Sequence, residues 1–326
     1  MCAWLASQLA HLTRLRSLNL VGIQAPYTAA GAAALASTLQ QLQGLTQLCL
    51  KVYSDDEPRI PCPSLNRLTQ LSSLDLENVG TPGQPLDLRT LPASLTALRF
   101  KDCDVSYTDA SSSDSGAAVQ LPLLQKLDVN IVHSPRGKCN LQHVCLLLRQ
   151  TPALSKLNFM GDCCSFLDRA SGVLSQLQSL QHIQLWPVGD QLSSDLEAAQ
   201  LAALTSSSQL TALEFSCSEV PTGAVQHMFP AGRQLPRLHS FCIGDGSKAG
   251  WDLEPGDISR IVACCPNLRC LSRPYLGAAI GVGRISSSEL QQLRQLTALT
   301  SLVIRSPSWD AAAGAVLADM TGGCMI

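Results

Sequence analysis

Apolar and polar positions follow one phrase along this chain, L-x-x-L-x-x-L-x-L, which recurs eleven times. The clearest copies are LTRLRSLNL, from Leu12 to Leu20, then LQGLTQLCL, LTQLSSLDL, LQSLQHIQL and LTALTSLVI. Taking the third leucine of each phrase as an anchor gives Leu18, Leu48, Leu74, Leu98, Leu127, Leu157, Ile183, Leu213, Phe241, Leu271 and Leu302. Three residues earlier, from Leu15 to Leu299, the column is leucine throughout. Two residues later stand Leu20, Leu50, Leu76, Phe100, Val129, Phe159, Leu185, Phe215, Ile243, Arg273 and Ile304, where Arg273 alone is not apolar. Residues two apart share one face of a strand, so each phrase predicts a short strand with one buried face. Anchors 24 to 31 residues apart leave room for a return across the back. Strand, return and parallel strand make a right-handed crossover. A recurring period of this size marks stacked repeats, each touching only its neighbours.

Several returns read as helices. Thr28 precedes AAGAAALASTLQQL, Asn140 precedes LQHVCLLLRQ, and Asp257 precedes ISRIVAC. Ser194 with Glu197, and Ser286 with Glu289, have the spacing of a capping box. AAAGAVLADM predicts a closing helix. Residues 53 to 65 and 79 to 94 are rich in Pro, Gly and acidic residues and predict extended or turn-like backs, and SYTDASSSDSG (106 to 116) predicts a flexible loop.

The phrase resembles the leucine-rich-repeat family over nearly the whole chain, from about residue 12 to 304. CCPNLRCL is similar to the cysteine-containing repeats of F-box proteins, and the Ala-rich returns to the ribonuclease-inhibitor type. The resemblance implies an α/β right-handed solenoid (a horseshoe). About eleven parallel strands would line its concave face, with helices and irregular segments on the convex face. Residues 1–326 would form one domain, with 305–326 as closing helix and tail. Family repeats often carry Asn or Cys five residues after the anchor. Here that column reads Ile23, Tyr53, Val79, Cys103, Val132, Asp162, Val188, Ser218, Gly246, Leu276 and Pro307. Only Cys103 fits, with Asp162 and Ser218 as polar stand-ins, so the backbone behind the strands must be satisfied another way.

Composition narrows the classes of function. A formal net charge of −2 offers no nucleic-acid footprint and no polybasic membrane patch. No apolar run reaches the length of a membrane span, and MCAWLASQLAHL lacks the basic start and clean apolar core of a signal peptide. Cys324 lies one place too late for prenylation. Fourteen cysteines would suggest disulfides in a small secreted domain. In a long chain with its own apolar core, and with no Asn-x-Ser/Thr site among seven asparagines, reduced intracellular thiols are the expectation. A cytoplasmic location follows. Arg outnumbers Lys, and Ala, Gln and Ser are abundant, which resembles green-algal repeat proteins, some of them tied to the ciliary axoneme.

No chemistry stands out. The pairs Cys163-Cys164 and Cys264-Cys265 hold adjacent residues that cannot easily face one ion, and neither C-x-x-C nor H-E-x-x-H occurs. Gly244-Asp245-Gly246-Ser247-Lys248 is not a phosphate loop and serves a turn instead. Six scattered histidines and no G-x-S-x-G leave no nucleophilic constellation. Neither a catalytic residue nor a metal, cofactor or small-molecule substrate is expected.

The candidate surface is the set of outward positions flanking the anchors. It comprises Asp75, Glu77, Arg99, Lys101, Lys126, Asp128, Asn130, Lys156 and Asn158, then Met160, His182, Gln184, Trp186 and Glu214. They run from an acidic start through a basic centre to an aromatic rim, and Trp and Arg are preferred interface anchors. The expected function is non-catalytic binding of a folded protein partner, whose identity the sequence does not name. Two alternatives come from the resemblance. One is the substrate receptor of an F-box ubiquitin ligase, which needs an F-box upstream of the 11 residues before Leu12 and so expects a longer product. The other is a GTPase-activating regulator, whose acidic tail is not matched by TGGCMI.

Overall fold

Each L-x-x-L step closes a tight turn in the backbone. The amide of Leu15 donates to the carbonyl of Leu12 (2.9 Å), Leu45 to Leu42 (2.9 Å), Leu71 to Leu68 (2.9 Å), Leu180 to Leu177 (3.2 Å) and Leu238 to Leu235 (3.0 Å). A bond between residues three apart eclipses their side chains. In the inner repeats both leucines of a step enter the core together, as Leu42 with Leu45 and Leu177 with Leu180 do, whereas Leu12 of the first copy stays exposed. The computed structural model describes residues 7–9, 11–24, 29–53, 65–80, 85–107, 121–131, 141–187, 197–215, 223–243, 254, 256–272, 280–281, 287–302 and 304–305. The chain divides into two compact units, Met1–Leu154 and Ser155–Ile326.

The first unit holds five parallel strands in chain order, β1 (Ser17–Gln24), β2 (Gln47–Tyr53), β3 (Ser73–Glu77), β5 (Ala97–Lys101) and β7 (Lys126–Asn130). Their register aligns anchor with anchor: Leu18 faces Leu48, then Leu74, Leu98 and Leu127. The anchors are buried, and so are the residues two on at Leu50, Leu76, Phe100 and Val129, while Leu20 is half-buried. Helices α1 (Ala29–Gln41) and α2 (Leu141–Arg149) form two returns, as the sequence predicts. Among its described residues the return after β3 has no α-helix. It contains β4 (Leu86–Asp87) and a 3-10 turn over Leu88–Thr90, and β4 pairs in parallel with β6 (Val105–Ser106), which follows β5. Ser106 therefore belongs to a strand and Tyr107 is buried, which corrects the start of the loop expected over 106 to 116, and the rest of that segment lies outside the described residues.

The second unit repeats the plan with helices. Its six parallel strands are β8 (Lys156–Gly161), β9 (His182–Pro187), β10 (Ala212–Phe215), β11 (Ser240–Ile243), β12 (Cys270–Ser272) and β14 (Ser301–Leu302). Their anchors also align, from Leu157 through Ile183, Leu213, Phe241 and Leu271 to Leu302. A two-residue pair, β13 (Ile280–Gly281) with β15 (Ile304–Arg305), lies apart. The returns are α3 (Cys163–Leu174), α4 (Ala198–Ala203), α5 (Ala224–Met228), α6 (Asp257–Cys264) and α7 (Ser287–Gln292). Aromatic rings join backs to strands. Phe159 of β8 stacks on Phe166 of α3 at 4.1 Å, and Phe241 of β11 meets Phe229 edge-on at 4.9 Å. Serine hydroxyls tie successive returns, as where the single O–H of buried Ser207 lies within hydrogen-bond distance of the carbonyls of Leu180 (2.7 Å) and Gln178 (2.9 Å).

The backbone behind the strands is satisfied by devices other than an asparagine ladder five residues past the anchor. Two residues before each anchor, one carbonyl accepts two amides of the next repeat. Arg16 O takes those of Thr46 (2.8 Å) and Gln47 (3.0 Å), and Gln181 O takes those of Thr211 (2.7 Å) and Ala212 (3.0 Å). Thr and Ser hydroxyls add a third donor at Thr46, Ser72, Thr96, Thr211 and Thr300. On the far side of the strands the polar position comes four residues after the anchor. Asn78 (φ 56°) and Asp102 (φ 51°) adopt the left-handed conformation that Asn and Asp tolerate. The Asn78 side-chain amide donates to Val52 O at 3.0 Å. Gly80, at φ 89°, is required outright, because a Cβ there would stand 2.6 Å from Asp104 O.

Three local expectations shift. Asp162 caps α3, its carboxylate accepting from the Ser165 amide (3.0 Å) and hydroxyl (2.6 Å), and so is no ladder residue. The box opening α4 is set by Glu197 and Gln200, with Gln200 Oε1 accepting from the Glu197 amide at 2.9 Å. At α6 the cap is Gly256 (φ 93°), and Asp257 lies inside the first turn. Thr28, Asn140, Ser194, Ser286, the segment 244–248 and the closing helix expected at 311–320 lie outside the described residues.

Candidate functional site

On the first unit the outward columns carry charges whose sign alternates from strand to strand. The register sets Cys49, Asp75, Arg99 and Asp128 in one row, and Lys51, Glu77, Lys101 and Asn130 in the next. Lys51 Nζ lies 3.1 Å from Asp75 Oδ2 and 3.8 Å from Glu77 Oε2. Lys101 Nζ donates to Glu77 Oε1 at 2.6 Å. Arg99 Nε stands 3.6 Å from Asp128 and 4.0 Å from Asp75 Oδ1. The last separation is within ion-pair range but too long for a hydrogen bond, and Asp75 Oδ1 is buried without one. Opposite charges directly across strands attract, so the acidic start and basic centre of the sequence pattern are two halves of one network. Glu77, buried between two ammonium groups, is its centre.

The network reaches one residue that the sequence pattern left out. Lys51 of β2 closes its edge, and the hydrogen bond to Asp75 raises its pKa. The alternation Lys51, Glu77, Lys101 was visible in the column three residues after the anchor. Cys49 sits beside it, and burial, followed by the negative charge of Asp75, pushes its thiol up. A thiol so raised is a poor nucleophile. Lys126, one residue before its anchor, is exposed at the start of β7.

On the second unit the outward face has a different character. One row runs Asn158, Gln184, Glu214 and Cys242, and its neighbour runs Lys156, His182, Ala212, Ser240 and Cys270. Met160 pairs with Trp186 at the strand ends. Gln184 Nε2 donates to Glu214 Oε2 at 2.7 Å. No cation stands within ion-pair distance of Glu214 among the described residues. Burial pushes its carboxyl above the usual range, against the opposing pull of Lys156 and Gln184. Burial also lowers the pKa of His182, with the charge of Lys156 adding to the effect. Two buried atoms here, Asn158 Oδ1 and His182 Nε2, have no hydrogen-bond partner.

Each unit therefore displays its own portion of the predicted surface. The first carries Asp75, Glu77, Arg99, Lys101, Lys126 and Asp128, and the second carries Lys156, Met160, His182, Trp186 and Glu214. No group of three or more His, Cys, Asp or Glu gathers as a metal site among the described residues. Seven of their nine cysteines are buried, and burial lifts the Cys163 and Cys265 thiols out of the reactive range. No described helix is long and apolar enough to cross a membrane. No protein-family pattern matches the chain, and no curated protein matches it.

Proposed function

We propose that the chain is a leucine-rich-repeat solenoid and a non-catalytic scaffold that holds a folded protein partner on the outward columns of its strands, in the cytoplasm. The observation that carries the proposal is the contrast between the two faces of each strand. Inward columns are closed with leucine and phenylalanine, while outward columns are polar, charged or aromatic and held in register by the sheet. A surface fixed in this way loses little conformational freedom on binding.

The test begins with affinity capture of partners by the full chain. Lys126→Glu and Met160→Glu together should cut capture at least about tenfold with the melting temperature held. Arg169→Glu, on the exposed side of α3, should leave capture unchanged. Retained capture in the double variant, or loss in the α3 variant, would place the binding surface elsewhere.

A further inference from the structure

The second unit presents three polar atoms with unmet hydrogen-bonding capacity on three neighbouring strands, the acceptors Asn158 Oδ1 and Glu214 Oε1 and the ring nitrogen His182 Nε2. Gln184 occupies Oε2 of Glu214, which leaves Oε1 for another donor. Asn158 Oδ1 is buried without a partner, and so is His182 Nε2. Asn158, Gln184 and Glu214 are aligned across β8, β9 and β10, so Asn158 and Glu214 flank Gln184 at about one strand spacing, 4.8 Å, on either side. His182 precedes Gln184 by two residues and shares its face. In a neutral imidazole one ring nitrogen bears no proton and accepts. Burial, with the Lys156 charge, favours that neutral ring. Buried polar atoms that lack partners carry a desolvation cost which a fitting donor removes.

We propose that this β8–β10 face seats an arginine side chain presented by a protein partner, with Glu214 as its counter-ion. The inference rests on the binding function proposed above and adds the chemistry of the partner. A guanidinium brings five N–H donors in a planar fork and a permanent charge, matching several separated acceptors around one carboxylate. An ammonium gathers its three donors at a point and serves such a spread less well. Charge distinguishes this face from that of the first unit, where Asp75, Glu77 and Asp128 each already have a cation at 4.0 Å or less. Among the described residues Glu214 has only a neutral amide. Lys156 is close enough to influence both His182 and Glu214 but forms an ion pair with neither among the described residues. The neighbouring positions Ala212, Ser240 and Cys242 carry small side chains.

A displayed library of short random peptides, selected against the full chain, tests the proposal. The expected peptides share an arginine. Exchange of that arginine for citrulline, its uncharged isostere, should weaken binding at least about tenfold. Glu214→Gln should weaken it comparably, and Arg149→Gln on α2 should not. Peptides that lack arginine, or that bind the Glu214→Gln chain undiminished, overturn the arginine proposal while leaving the binding function standing. Recovery no better than from a blank surface also overturns the arginine proposal, and the binding function is then decided separately by affinity capture with the full chain. The citrulline exchange alters only the peptide, so it decides the question even if a variant chain is unstable.

Discussion

The two units share one buried plan and differ in what they do with charge on the open face. In the first, five charged side chains on β2, β3 and β5 and a sixth on β7 neutralise one another across the strands. In the second, the central carboxylate leans on an amide, and two neighbouring polar atoms are left unmatched. Many charges in a sequence pattern therefore do not amount to charge available for a partner. The busier face neutralises its own charges, with Asp75 Oδ1 the one buried atom of that network without a hydrogen bond, while on the quieter face Glu214 has no cation beside it among the described residues. Surface ion pairs in water contribute little each, but the first-unit network is partly buried at Glu77, which makes its partners harder to remove.

The largest expected effect tests what the units have in common. Leu98→Ala in the first and Leu213→Ala in the second should each cost about 2–5 kcal/mol, since both anchors are buried within aligned columns. Leu12 occupies the first copy of the phrase but is 48% exposed. Its change to alanine should cost less than about 1 kcal/mol, because little apolar area leaves water in the native chain. Denaturant melts of the three variants make the check. Equal losses at Leu12 and Leu98 would mean that the leucine columns are not what holds the repeats.

Next comes the closed network. Lys101→Glu sets a carboxylate against Glu77, whose side chain is 12% exposed. Its cost falls between that of an exposed pair and a buried one, roughly 1–3 kcal/mol. Lys101→Met removes the cation without adding repulsion and should cost less. Raised salt should narrow the gap between the two variants, since screening acts on the repulsion. Equal melting of both variants and the parent would show that the pairing contributes nothing measurable.

The buried plan was legible because leucine columns report directly on strand faces and tight turns. Every described anchor pairing falls in the register read from the sequence, from Leu18 with Leu48 to Leu271 with Leu302. Helices α1 and α2 were legible from their Ala- and Leu-rich returns. Less legible was whatever depends on which neighbour a polar residue meets. Asp162 looked like a ladder residue because counting from the anchor cannot tell a strand exit from a helix cap. Helix α3 was missed for the same reason, since its cap was assigned elsewhere. Lys51 was missed because the patch was traced from its acidic strand outward, although the alternating column contained the signal. The unpartnered atoms at Asn158 and His182 have no sequence signature, because burial on an outward face depends on neighbouring strands.

A smaller effect separates the units by pH. His182 has a lowered pKa through burial and the Lys156 charge. Its neutral form is thus favoured in the folded chain, and it contributes stability above its unfolded pKa of about 6.5 that is lost as pH falls through the folded value. Glu214 runs the other way. Its pKa is raised, chiefly by burial, so its contribution is fully present below the unfolded carboxylate value of about 4.3 and is lost as pH rises through the folded one. At neutral pH, Glu214→Gln should therefore leave the second unit as stable or more stable, and the difference should vanish in acid. His182→Gln should flatten the decline below about pH 6.5. Thermal melts from pH 4 to 8 make both comparisons, and a Glu214→Gln chain less stable at pH 7 would contradict the assignment of strain to that carboxylate.

The smallest expected change concerns Lys126, which is exposed at the edge of β7. Lys126→Glu should shift stability by no more than about 0.5 kcal/mol, the usual range for a surface substitution away from packed features. The near-zero result is informative because the same charge reversal two strand-columns away, at Lys101, is expected to be costly. If Lys126→Glu proves as damaging as Lys101→Glu, the first-unit face responds to its overall charge and not to the specific pairs across β3 and β5. If the two separate as expected, Lys126 is, among the described residues, a cation of that face whose charge can be spent on a partner without disturbing the sheet beneath it.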